Sequence, residues 1–208
     1  MRRCVSLAMF ALLAVVPLIA QTPQGWRVRA DRSTSASDPD AAGAVKFVTM
    51  GTGFHATNPQ AAVFWNPGHT VTGNYSLKGT FTLLKPSGHT NYYGLVFGGS
   101  ELEGVGQNYV YFTVAQDGTW LIKRRDGAAT SDVAKAANDT VKRPDATGKS
   151  TNALEVRVQA DKIEYVVNGV TVHTTPKTGP TAKTDGIYGV RVNHQLDVHV
   201  DGFSASKR

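Results

Sequence analysis

Cysteine, glutamate and charge are all scarce in this sequence, and each scarcity excludes something. There is one cysteine among 208 residues, Cys4. It precedes the only long apolar run, whereas a lipid-anchoring cysteine would follow such a run. Once an export segment is removed no thiol remains, so disulfides, iron–sulfur clusters and a cysteine nucleophile are excluded. Glutamate occurs four times, at Glu101, Glu103, Glu155 and Glu164, and no pair of them shares a strand with an intervening aspartate. Charged residues make up 18%, below the roughly 25% of an average soluble domain. No basic run exceeds Lys123-Arg124-Arg125, and nucleic-acid binding calls for a concentrated basic stripe. HExxH, G-x-S-x-G, P-loop and dinucleotide fingerprints are all missing.

The N-terminus is the exception to the shortage of apolar runs. Arg2 and Arg3 precede a largely apolar stretch from Val5 to Val16, then Pro17 and a small Ala20. That is the layout of a cleaved export signal over residues 1–20. The run is shorter than the ~20 residues a membrane span needs, so the expected location is periplasmic or secreted, with no membrane span after processing. Formal charge is +6 for the whole chain, a mild basicity that suits acidic partners.

All 21 glycines follow residue 20. From residue 45 the apolar pattern has period two, punctuated by Gly, Asn, Asp and Pro. Strands are expected at 45–50, 53–57, 61–65, 73–84, 92–98, 109–115, 119–125, 153–159, 162–167, 170–175, 186–192 and 196–204. Residues 21–44 read as a short edge strand at 26–30 followed by a loose connection. Only Ala128–Asn138 offers a helix, and it lacks an apolar face. A dozen strands without intervening helices define an all-β fold, an antiparallel jelly-roll β-sandwich of two packed sheets over 45–208.

Three hairpins can be registered. Asn168-Gly169 accepts positive φ at both positions, as a two-residue type I′ turn requires, and pairs Val167 with Val170, Tyr165 with Val172 and Glu164 with His173. Ala160-Asp161 pairs Val158 with Ile163, Val156 with Tyr165 and Arg157 with Glu164. Gln116-Asp117-Gly118 turns Val110, Phe112, Val114, Trp120 and Ile122 inward, leaving Tyr109, Tyr111, Thr113, Lys123 and Arg125 facing out. Trp65 and Trp120 read as core residues.

The succession Tyr93-Gly-Leu-Val-Phe-Gly-Gly99, Tyr109-Val-Tyr-Phe-Thr-Val114 with Asp117-Gly118, Asn152-Ala-Leu-Glu-Val-Arg-Val158, Tyr165-Val-Val-Asn-Gly169, Gly186-Ile-Tyr-Gly-Val-Arg191 and Val200-Asp-Gly-Phe203 resembles the concanavalin A-like lectin/glucanase superfamily. Laminin G-like modules, lectins and several glycanases share this jelly roll. The resemblance implies fold rather than one activity. It leaves an exported carbohydrate-binding module without catalysis as the first reading. A glycan-cleaving hydrolase, of the glucanase or 3-keto-disaccharide hydrolase type, is the alternative, and an envelope interaction module needing no pocket is the third.

Several constellations could carry chemistry. Tyr109, Tyr111, Lys123 and Arg125, with Tyr92 or Tyr93, His89 and Asn91, form an aromatic and basic face on which sugar rings could stack. Arg157, Glu164 and His173 align as an acid/base candidate across two hairpins. Glu101 and Glu103 project to one side if extended, but lie between glycines in what reads as a loop. Retaining glycanases need two carboxyls about 5–5.5 Å apart. Asp197, His199 and Asp201 share a face of the last strand, with His194 nearby, and are the metal candidates. A Ca²⁺ site of the laminin G kind would use loop oxygens at the rim.

Overall fold

The computed structural model describes residues 22–33, 35–36 and 38–208. The export segment read at 1–20 lies outside these residues. Fourteen strands follow in order: β1 Arg27–Asp31, β2 Lys46–Met50, β3 Gly53–Asn58, β4 Ala61–Val71, β5 Tyr75–Lys85, β6 Tyr92–Ser100, β7 Asn108–Ala115, β8 Thr119–Asp126, β9 Ala129–Ala137, β10 Ser150–Val158, β11 Lys162–Val167, β12 Val170–Pro176, β13 Gly186–Val192 and β14 Leu196–Lys207, with one 3₁₀ turn at Gly179–Thr181. Among the described residues no helix is long and apolar enough to cross a membrane.

The strands make two seven-stranded sheets. The first has the order β1-β4-β13-β6-β7-β8-β9 and the second β12-β11-β10-β5-β14-β3-β2. Every registered pairing is antiparallel. Alternation decides what each sheet turns inward. Phe64, Leu95, Phe97, Val110, Phe112, Val114 and Ile122 of the first sheet meet Leu77, Phe81, Leu83, Leu154, Val156, Tyr165 and Val198 of the second. Two of the tyrosines buried there have hydroxyl partners: Tyr75 Oη donates to the Thr184 carbonyl at 2.6 Å, and Tyr165 Oη lies 3.3 Å from Thr175 Oγ1. Burial pushes the Tyr165 phenol up to about 12 against the opposing pull of Thr175. Gly94 is required where β6 crosses β7, because a Cβ there would stand 2.3 Å from the Phe112 carbonyl oxygen.

Two hairpins form in the expected register: β10 and β11 pair Val158 with Ile163, Val156 with Tyr165 and Arg157 with Glu164, and β7 pairs with β8 with Val114 opposite Trp120. In the third, Asn168 and Gly169 make the expected turn with φ of 50° and 85°, and Val167 lies opposite Val170. Asn168 also ties in the connection before β10, donating to the Thr140 carbonyl and to Asn152 Oδ1 while accepting from the Ala153 amide.

Two expectations are corrected. The stretch 128–138 is not a helix: Ala129–Ala137 is an edge strand, β9, on β8. Its small and polar residues suit a half-exposed edge that has only one neighbour to pack against, so no apolar alternation marks it. The β11–β12 register also shifts, by a bulge between Tyr165 and Val166. Such a bulge sets two residues against one and turns the following side chains over. His173 therefore lies opposite Tyr165, and Glu164 faces Thr174.

Candidate functional site

The outer face of the first sheet is where the sequence placed a sugar-stacking platform. The registers put Arg29, Val63, Arg191, Gly94, Thr113, Leu121 and Lys135 in one row, and Arg27, Trp65, Gly189, Val96, Tyr111, Lys123 and Asp132 in the next. Tyr109 and Tyr111 do point outward, but they are covered, at 0% and 5% exposure. With Val63, Trp65, Val96 and Leu102 they build a second apolar cluster outside the sandwich. Trp65 is thus buried, though in this outer cluster rather than between the sheets.

The cover is polar as well as apolar. Arg191 Nη1 donates to Asp31 Oδ2 at 2.7 Å and to Tyr109 Oη at 2.9 Å, and its guanidinium lies 5.1 Å from the Tyr111 ring centre. The loop Glu101–Gln107 folds over the same cluster, inserting Leu102. Arg29 donates to the Gly104 carbonyl, and Arg125 Nε donates to the Gly127 carbonyl at 2.7 Å. With its amide assigned oxygen-inward, Gln107 accepts from both Arg29 and Arg125 at 3.0 Å. Lys123 pairs with Asp132 at 2.8 Å. Tyr109 and Tyr111 therefore brace a loop and present no free ring face, which corrects the platform reading. Tyr92 is also buried, its hydroxyl 3.0 Å from Thr119 Oγ1, and Tyr93 is a core residue between the sheets.

The acid/base line is dispersed as well. Arg157 and Glu164 are paired across β10 and β11, at 3.9 Å. Arg157 bonds Glu155 at 2.8 Å, and Lys162 bonds Glu164 at 2.8 Å. The Arg157 hydrogen bond holds Glu155 below the usual carboxylate range, with Ser76 adding to it, and Lys162 does the same to Glu164. A general acid needs the opposite shift. His173 is on the inner side, its ring 5.1 Å from Trp120 and 6.2 Å from Tyr165. Glu103 is paired with Arg27 at the loop surface.

Burial lowers the His173 pKa below its ordinary 6.5. The unfolded chain then takes up the proton more readily than the folded one. Stability is full above about pH 6.5 and declines as pH falls through that value. His173→Phe is expected to remove part of that decline, measured as urea unfolding free energy at about pH 7.5 and 5.5. An unchanged difference between the two pH values would contradict it. His69, lowered by the same cause, retains its share.

On the outer face of the second sheet the metal candidates separate into two pairs. His55 Nε2 meets Asp197 Oδ1 at 2.7 Å and His199 Nε2 meets Asp201 Oδ2 at 2.9 Å. Asp197, His199 and Asp201 do not converge on one point. Among the described residues the side chains that do so are Asp38, His89 and His194. They lie at the rim, where the Asp38–Asp40 segment, the β5–β6 connection and the β13–β14 turn meet. Asp38 Oδ1 is 2.6 Å from His89 Nε2 and 3.0 Å from His194 Nε2. Asn91, buried beside them, places Nδ2 2.9 Å from His89 Nε2 and donates to Ser87 Oγ at 3.2 Å. His89 and Asn91 thus belong to the rim and not to the tyrosine face.

Next to this cluster along the chain opens a pocket of about 500 Å³. Ala41–Ala44 form one wall, the β3–β4 turn and Lys85–Gly88 two others, and Gln195–Asp197 the fourth, with Lys46 at its edge. Both Lys46 and Lys85 are exposed, and among the described residues neither is in an ion pair. Sequence reasoning missed Asp38, Asp40, Lys46, Lys85 and Gln195. No local motif marks them, because residues as far apart as 40 and 194 meet there.

The two-sheet order and the packing define an antiparallel jelly-roll β-sandwich. Solved structures similar to it include the carbohydrate-binding module CBM66 from Bacillus subtilis, at 9% identity over 88% of this chain and 96% of that one, with a TM-score of 0.62. The carbohydrate recognition domain of Emp46p aligns over 85% of each chain at 11% identity and a TM-score of 0.55. An alginate lyase, A1-II′, aligns over 88% of this chain and 95% of that one at 12% identity and a TM-score of 0.56. No family model and no curated protein matches the sequence.

Proposed function

We propose that this protein is an exported carbohydrate-binding module without catalysis of its own, and that it takes an acidic glycan in the rim pocket. The observation that carries the reading is the pocket itself. Its volume falls within the roughly 300–1,000 Å³ usual for ligand sites, and among the described residues it brings two exposed lysines outside any ion pair beside Gln195 and Ser87, while the carboxylate on its wall, Asp197, is paired with His55. Lysine ammonium groups pair with carboxylate or sulfate, and the Gln195 amide and Ser87 hydroxyl suit sugar hydroxyls. The fold is shared with a carbohydrate-binding module and a carbohydrate recognition domain, which supports the ligand class. Glu155 and Glu164 are held ionised by their own cations, which favours binding over hydrolysis. The exposed large apolar side chains, Val28, Met50, Val105 and Val170, are scattered over separate elements, which disfavours an interaction module built on one apolar patch.

The test is affinity electrophoresis through gels containing a uronate polymer or a neutral glucan. The wild-type chain is expected to be retarded by the uronate gel. Lys46→Glu with Lys85→Glu is expected to weaken binding at least roughly tenfold, about 1.4 kcal/mol, with an unchanged melting curve because both side chains are exposed. Equal retardation of the double variant would overturn the pocket assignment. Export is tested separately, by recovering the mature chain outside the cytoplasm and sequencing its N-terminus.

A further inference from the structure

At the rim, three ligand-type atoms from three distant segments converge: Asp38 Oδ1, His89 Nε2 and His194 Nε2, all within 4.8 Å of one another. The two imidazole nitrogens are 3.1 Å apart, and each is also within 3.0 Å of the Asp38 oxygen. In a tetrahedral centre with metal–ligand bonds of about 2.0–2.1 Å, neighbouring ligand atoms stand roughly 3.3 Å apart. The three edges here outline one slightly contracted face of such a tetrahedron.

A further contact orients one of the ligands. His194 Nδ1 lies 3.2 Å from Asp40 Oδ1. A carboxylate at that nitrogen keeps the proton on Nδ1 and leaves the Nε2 lone pair directed at Asp38 and His89, the carboxylate–histidine arrangement that supports metal ligands. Asp40 is itself held, its Oδ2 accepting the Ser33 amide at 2.9 Å, while Ser33 Oγ donates to the Asp38 carbonyl at 2.7 Å. On the other side, Gln116 Nε2 donates to the Ser87 and His89 carbonyls, at 2.8 and 3.0 Å. His89 and Asp38 thus sit on braced backbone and His194 is held through its ring by Asp40, and of the three only Asp38 and His89 open to solvent, with side chains 46% and 41% exposed.

We propose that Asp38, His89 and His194 bind one divalent transition-metal ion of the zinc type, with Asp40 as the positioning residue behind His194. Two imidazoles and one carboxylate suit zinc and its neighbours, whereas calcium and magnesium take oxygen ligands. Three protein ligands leave a fourth position to water. The ion fastens the segment that continues into Ala41–Ala44, one wall of the pocket. This site stands whether or not the pocket takes a glycan.

The experiment uses the purified protein without an affinity tag, stripped with chelator and titrated with Zn²⁺ against a chromophoric competitor, and with Co²⁺ followed by visible absorption. One equivalent of Zn²⁺ and the intense absorption of tetrahedral Co²⁺ are expected. His89→Ala and Asp38→Asn should each abolish both signals, Asp40→Asn should weaken Zn²⁺ binding by roughly 10–100-fold, and His199→Ala should leave it unchanged. Absence of a stoichiometric site in the wild type, an equal site in both His89→Ala and Asp38→Asn, or displacement of Zn²⁺ by millimolar Ca²⁺ would each overturn the assignment.

Discussion

Asp31→Ala is expected to destabilise the fold by about 3–5 kcal/mol, the usual result of stranding one partner of a buried ion pair. Asp31 and Arg191 are both largely sequestered, with side chains 12% and 11% exposed, and meet at 2.7 Å. Arg191 retains Tyr109 and Asn193 as acceptors, but without Asp31 its charge lacks a close carboxylate. The loss propagates, because Asp31 ends the edge strand β1 and Arg191 braces Tyr109 and Tyr111 under the Glu101–Gln107 loop. The double variant Asp31→Ala with Arg191→Met is expected to recover much of the loss, since an apolar pair tolerates burial that a lone charge does not. Urea unfolding of the four members of this cycle measures the coupling. A loss below about 1 kcal/mol for Asp31→Ala, as exposed pairs give, would show that the pair is solvated.

Phe112→Ala is expected to cost about 3–5 kcal/mol for a different reason, the cavity it leaves. Phe112 is fully buried in the middle of β7, and its ring meets Tyr165 edge-on at 5.2 Å from the opposing sheet. Neither sheet can close the gap easily, since β6 and β7 already approach as near as Gly94 allows. For a domain of this size the midpoint should fall on the order of 10 °C. A fall of only a degree or two in a thermal melt would mean that the two layers are not locked together through this ring.

The sandwich was legible because its signals are local. Asn168-Gly169 and Asp117-Gly118 fix turns, and the alternation through β7 and β8 fixes which side chains enter the core. The bulge in β11–β12 was not legible: nothing in Val170–His173 distinguishes an even ladder from one carrying an extra residue, yet that single step moves His173 from beside Glu164 to beside Trp120. Strand β9 was hidden by its alanines, which suit helix propensity, while its pairing comes from β8. Outward direction was read correctly for Tyr109 and Tyr111, but exposure was not, because the cover comes from Leu102, Asp31 and Arg191 elsewhere in the chain. The rim escaped for the same reason. Its residues are drawn from the 38–46 segment, the end of β5, the β5–β6 connection and the β13–β14 turn, and only folding juxtaposes them.

The most direct measurement of where a glycan binds is amide chemical-shift mapping of the ¹⁵N-labelled protein during titration with a uronate oligosaccharide. Saturable shifts centred on Lys46, Asn58, Lys85 and Gln195 are predicted, with Tyr109, Tyr111 and Lys123 left in place. Shifts confined to the tyrosine face, or no saturable shifts with any acidic oligosaccharide, would contradict the account.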